Sequence, residues 1–223
     1  MIATCIIELS LLIYTIWRYK FNKLTRLVTL VLLCLAIFQL AEYRVCTGSN
    51  FANFWSHVGY VAITLLPILG IHIIHTIIGK KSNALVYFGY LTAAVFVGYF
   101  AITANSIVGH QCLGNYVMFQ VNSNLGWLYG IYYYGWVILG GLLSLAHADR
   151  SKNKKQKQAL IGFALGYAVF LVPTTTANLI NKSTLRGIPS IMCGFAVLFA
   201  IIIITWVMPR VGKRRTHQEE TST

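Results

Sequence analysis

Acidic residues are almost missing from this chain. Its 223 residues hold five Asp and Glu against eighteen Lys and Arg, and charged residues of both signs make up only 10%. Together with 57% hydrophobic residues and a mean hydropathy of +0.67, this excludes an ordinary soluble domain, in which about a quarter of residues are charged. No low-complexity tract or internal repeat is visible, which argues against the paired repeats of many secondary transporters. No HExxH or comparable spacing marks a metal site, so a metal stays unassigned. The longest stretches outside the apolar runs, residues 105–124 and 211–223, are too short for a soluble catalytic domain. Any chemistry here must be intramembrane.

What the chain does have is seven apolar segments, at residues 2–17, 24–40, 54–78, 84–104, 125–146, 159–179 and 188–208. Each matches or approaches the roughly 20 helical residues that cross a hydrocarbon core. The first is not a secretory signal by its flanks, since positive charge follows it rather than precedes it and Glu8 interrupts its apolar run. It reads as the first spanning helix. Cations sit in alternate connections: Arg18, Lys20, Lys23 and Arg26, then Lys80 and Lys81, then Arg150 to Lys157, then Arg210 to Arg215. Only Arg44, Lys182 and Arg186 fall on the other side, a split of fifteen to three. The positive-inside rule then predicts an all-α, polytopic seven-helix bundle with its N-terminus out and its C-terminus cytoplasmic. Residues 1–209 form the membrane domain and 210–223 a basic tail. A net charge of +13 would suggest nucleic acid in a soluble protein. In short juxtamembrane loops it implies the lipid bilayer as partner and no nucleic acid.

Polar groups held inside hydrocarbon are costly, so each is a functional candidate. Glu8, Glu42 and His57 come from three successive segments at similar outer depth, with His110 in the loop above. Such a cluster suits a cationic ligand, a divalent metal or a response to pH; the structural alternative is a Glu–His pair that locks helices. Trp127 and Tyr134 of the aromatic fifth segment, with Thr174, Thr175, Thr176 and Asn178 of the sixth, are candidates to wall an outward pocket, or else form an interface belt. His57, Thr64 and His75 share one stripe of the third segment, with His72 off to one side, a candidate ion or proton path. Pro67 and Pro173 free the carbonyls of Ile63 and Val169. Gly126–Gly130 and Gly162–Gly166 have the small-xxx-small spacing that packs helices or makes a homodimer. Cys46 and Cys112 share the outer compartment and either form a disulfide or stay as free thiols. Asn181-Lys-Ser is a glycosylation sequon. The last segment carries no lysine for a retinal Schiff base and no histidine for a zinc site.

Several stretches resemble the seven-helix N-terminal sensor region of bacterial histidine kinases. They are Phe38-Gln-Leu-Ala-Glu-Tyr-Arg-Val-Cys46, Phe54-Trp-Ser-His-Val-Gly, Leu65-Leu-Pro67, Lys155-Gln-Lys-Gln-Ala and Ile188-Pro-Ser. The resemblance spans nearly the whole chain. It departs after the seventh segment, where those kinases continue into dimerisation and catalytic regions and this sequence has a basic tail, so no kinase activity is expected of it. With the outward polar cluster, the resemblance points to a receptor-like protein of the plasma membrane that binds a small or lipidic ligand in an outward-facing pocket and signals through its cytoplasmic loops to a partner protein. A transport or channel component and an intramembrane enzyme are the alternatives; the residues offer no convincing catalytic set and leave any cofactor unassigned.

Overall fold

The computed structural model describes residues 1–48, 51–80, 83–113, 116–180 and 188–214, with side-chain surroundings for all of these except 116, 123–124, 177–180 and 188–194. Helices α1 (Ile2–Arg18), α2 (Lys23–Cys46), α3 (Ala52–Ile77) and α4 (Ala84–Ile102) precede a two-stranded sheet, β1 (Ile107–Leu113) and β2 (Tyr116–Val121). Helices α5 (Ser123–Arg150), α6 (Lys154–Ile180) and α7 (Ile188–Ile202) follow. The last runs through a π-helical turn, Ile203–Val207, into one more turn, α8 (Met208–Val211).

Local sequence sets the helix ends. Asn22, Asn83 and Asn153 cap α2, α4 and α6, their side-chain oxygens accepting the backbone N–H of Thr25 at 3.0 Å, Val86 at 3.4 Å and Lys155 at 3.0 Å. Gly48 and Gly79, just past the ends of α2 and α3, have φ of +76° and +72°, the left-handed stop that glycine makes without a Cβ clash. Pro67 and Pro173 sit inside α3 and α6, and both helices continue past them.

Helices α2 to α6 contain five stretches long and apolar enough to cross a membrane by length and composition, which marks an integral membrane protein. The burial pattern agrees. Helix α4 buries Val86, Gly89, Ala93, Phe96 and Phe100, a helical stripe, and exposes Tyr87, Phe88, Leu91 and Val95. Helix α1 goes further. It buries Cys5, Glu8 and Thr15 while Ile6, Ile13 and Trp17 stay exposed. A helix with its carboxylate inside and its aliphatic residues outside suits a hydrocarbon surround.

The two ends of the bundle differ. At one end the α1–α2 turn meets the chain after α8: Lys20 donates its N–H to the Lys213 carbonyl at 2.8 Å, and Tyr19 pairs with Arg214 in an isolated bridge. Gln156 Nε2 reaches the Ile77 carbonyl at 2.8 Å, bringing the α5–α6 and α3–α4 connections to that same end. The alternate basic loops therefore share one face of the bundle.

The other end holds the departure from an all-helical reading. Residues 105–124, expected to be a plain loop, contain the antiparallel β1–β2 hairpin, in register from Gly109↔Gln120 to Leu113↔Tyr116 with an irregularity at Val108. Val117 and Phe119 are fully buried. Phe119 stands edge-on to Tyr60 with centroids 5.4 Å apart and lies 6.2 Å from Phe38, so the hairpin packs onto α2 and α3. Cys46 at the end of α2 is bonded to Cys112 on β1, with Cα atoms 5.8 Å apart, as one of the two sequence-level readings held.

Candidate functional site at the hairpin end

Glu8 and Glu42 come from helices α1 and α2, which pack along their length. Both are buried, Glu8 completely and Glu42 to 1% exposure. Glu42 Oε1 accepts the backbone N–H of Val117 at 3.3 Å, tying the carboxylate to the hairpin. Glu8 has no such tie. Among the described residues neither of its oxygens has a hydrogen-bond partner. A buried carboxylate in that state is destabilising by several kcal/mol unless a proton or cation compensates it.

The surroundings are polar on one side. The Thr4 hydroxyl reaches the Met1 carbonyl at 2.6 Å and Gln39 Oε1 at 2.9 Å, and Cys5 Sγ lies 3.4 Å from the Ala36 carbonyl. Thr4 and Glu8 share the inward face that their spacing of four predicts. Thr15 continues that face, buried, with its hydroxyl on the Leu11 carbonyl at 2.6 Å.

His57 does not join this pair. Its Nδ1 lies 2.6 Å from the Phe100 carbonyl and 3.4 Å from Ser106 Oγ. Since a carbonyl only accepts, Nδ1 carries the proton, and the imidazole pins the end of α4 to α3. The expected Glu8–His57 pair is thus not formed. Sequence depth placed the residues at one level, but their angular positions on the helices send them to different neighbours. His110 lies on β1, in register with Phe119.

The aromatic fifth segment divides in two. Trp127 is 65% exposed, which fits an interface belt. Tyr134 is half-buried against the core. Tyr129 and Tyr132 turn inward and join Tyr60, Phe96 and Phe100 in a packed aromatic group with centroids 4.8–5.9 Å apart. Of the three threonines, Thr174 is buried, and each returns its hydroxyl to its own helix, at 2.7–2.8 Å from Phe170, Leu171 and Val172. The side chain of Asn178 and the sequon at Asn181 lie outside the described residues.

The stripe along α3 is broken. Thr64 donates to the Tyr60 carbonyl at 2.6 Å, so Tyr129 supplies the proton of its 3.1 Å contact to Thr64 Oγ1. Below it Ile68 and Ile71 are fully buried, and the next polar groups are His72, 2.9 Å from Tyr90 Oη, and His75, whose buried Nδ1 has no partner among the described residues. The polar groups at either end of the stripe are separated by aliphatic packing. Tyr132 does something the sequence did not announce: its hydroxyl donates to the Thr64 carbonyl at 2.6 Å, beside the ladder gap that Pro67 opens.

The paired glycines also separate. Gly162 and Gly166 seat Trp206 and Phe199 of the last helical run, where a Cβ would collide, whereas Gly126 and Gly130 leave room. Among the described residues no three His, Cys, Asp or Glu side chains come together as a metal site would require.

Comparison with known proteins gives no match: no family model, no curated protein and no solved structure is similar enough to assign this chain.

Proposed function

We propose that the chain is a seven-helix, receptor-like membrane protein with its hairpin end outside and its basic end in the cytoplasm. In this reading a small ligand bearing positive charge binds between Glu8 and Glu42, and a partner protein reads the basic loops. The unpartnered carboxylate of Glu8 carries the proposal. A carboxylate buried without a hydrogen-bond partner among the described residues is costly, and a bound cation would compensate it. The coupling route is short. Glu42 holds the hairpin through Val117, so compensation of the carboxylate charge bears directly on a segment facing the ligand's side. The sidedness rests on the positive-inside rule, and the signalling role on the resemblance to kinase sensor regions.

Thermal unfolding of the purified full chain in detergent, screened with choline, a polyamine and simple alkylammonium ions, tests this. At least one cation should raise the Tm of the wild type and leave Glu8→Gln and Glu42→Gln unmoved. Equal shifts in all three proteins, or none in any, would count against the site.

A further inference from the structure

Two links tie the hairpin to α2, and they meet at one place. Glu42 Oε1 accepts the Val117 N–H at 3.3 Å, and Cys46 is bonded to Cys112. Cys46 follows Glu42 by one helical turn, on the same face of α2. Cys112 and Val117 are partners in the β1–β2 register. One turn of helix and one cross-strand pair therefore close a ring through a disulfide and a hydrogen bond.

The ring makes each link depend on the other. Val117 gives its N–H to Glu42, away from β1, so Cys112 and Val117 form the kind of antiparallel pair that exchanges no ladder bonds. The Cα atoms of such a pair are about 4.5 Å apart. Fixing Cys112 to α2 thus holds the Val117 amide at the Glu42 carboxylate. The base of the hairpin is anchored separately. Phe119 is buried against Tyr60, and Asn122 donates its N–H to the Ser106 carbonyl at 3.0 Å. Opening the disulfide loosens the turn end and leaves that base in place. One side of the bond also meets solvent. Cys112 is exposed and Cys46 half-buried, and exposed disulfides are the labile and regulatory ones.

We propose that the Cys46–Cys112 bond is a redox latch that sets whether the hairpin holds Glu42. A dithiol opens it. One thiolate attacks Cys112 Sγ, and Cys46 leaves as a thiolate that takes up a proton. The second thiolate of the reagent attacks the mixed disulfide, closes the reagent's own disulfide and releases Cys112, which is protonated in turn. Two electrons and two protons pass to the protein, and the dithiol is oxidised. With the latch open, the Val117 amide leaves Glu42 and the carboxylate loses its tie to β2.

Hydrogen-exchange mass spectrometry on the 116–121 peptide of the full chain in detergent, with and without dithiothreitol, tests this. Dithiothreitol should open the bond in the folded protein, with the helical circular dichroism signal kept, and speed exchange of that peptide by roughly tenfold or more as the tethered contact becomes untethered. The Cys46→Ser/Cys112→Ser double variant should exchange as fast with no reagent. Glu42→Ala should speed exchange in the oxidised protein and add little in the reduced one, because the two links act as a unit. A bond that opens only on unfolding, protection unchanged by reduction, or a Glu42→Ala effect of equal size in both redox states overturns the proposal. The wild-type comparison decides it even where a variant fails to fold, and whether or not a cation binds at Glu8.

Discussion

Val117 of β2 donates its backbone N–H to Glu42 Oε1 of α2 at 3.3 Å, so a buried carboxylate, and not only the nearby disulfide, holds the hairpin to the helical bundle. Hydrogen bonds to charged groups contribute about 1.5–3 kcal/mol. Glu42→Ala should therefore raise the hydrogen-exchange rate of the Val117 amide by roughly ten- to a hundredfold, read by exchange mass spectrometry on the 116–121 peptide. Protection equal to wild type would mean that the hairpin is held elsewhere.

The Cys46–Cys112 bond closes a loop with a sequence separation of 66 residues. In the chain-entropy model such a bond contributes about 4 kcal/mol. Cys46→Ser should lower the Tm clearly and abolish the mobility difference between reduced and oxidised protein on gels. The helical circular dichroism signal should persist below the new Tm, since the bond lies at one end of the bundle.

Gly162 and Gly130 should respond oppositely to the same change. Alanine at Gly162 meets the Trp206 ring and should cost about 1–3 kcal/mol through overpacking. Alanine at Gly130 meets nothing within 4 Å and gains up to about 1 kcal/mol of helix propensity. Thermal unfolding of the two single variants checks the contrast; equal losses would show that α5 packs against something at Gly130.

Tyr132→Phe removes the hydroxyl that donates to the Thr64 carbonyl and should destabilise by about 1 kcal/mol. The loss should shrink when Pro67 is first replaced by Ala, because the restored helix supplies backbone donors around the gap. A double-mutant cycle measures this, and strict additivity would separate Tyr132 from the proline.

Cysteines placed at Thr103 and Lys155 should react with an impermeant maleimide from opposite faces of a sealed membrane. Thr103 follows α4 near the hairpin, while Lys155 starts α6 at the basic end. Labelling of both from one face contradicts the proposed topology.

Much of the helical framework was legible because apolar length and loop charge are local properties. The segments at 24–40 and 84–104 fall almost wholly on α2 and α4. The disulfide was one of two open readings for the same reason, a shared compartment. The hairpin was missed although its signal was present. Two β-prone runs flank Gly114-Asn115, and Val117, Phe119 and Val121 alternate as a one-sided strand does; the expectation of a plain outer loop obscured both. Partner identity was less accessible. His57 and Glu8 share a depth, yet whether they meet depends on the rotation of α1 and α3 about their axes, which no single segment encodes. Nor does sequence spacing show that Gly70 and Gly140, 70 positions apart, frame one tyrosine, Tyr167.

The bridge between Tyr19 and Arg214, with Lys20 bonded to Lys213, has a consequence for biogenesis. Helix α1 packs on α7, so two helices far apart in the chain are neighbours in the bundle. Until α7 and the turns after it are inserted, the Lys20 amide waits for its Lys213 acceptor and one flank of α1 lacks its neighbour. A chain cut before residue 213 therefore leaves a seam open along α1.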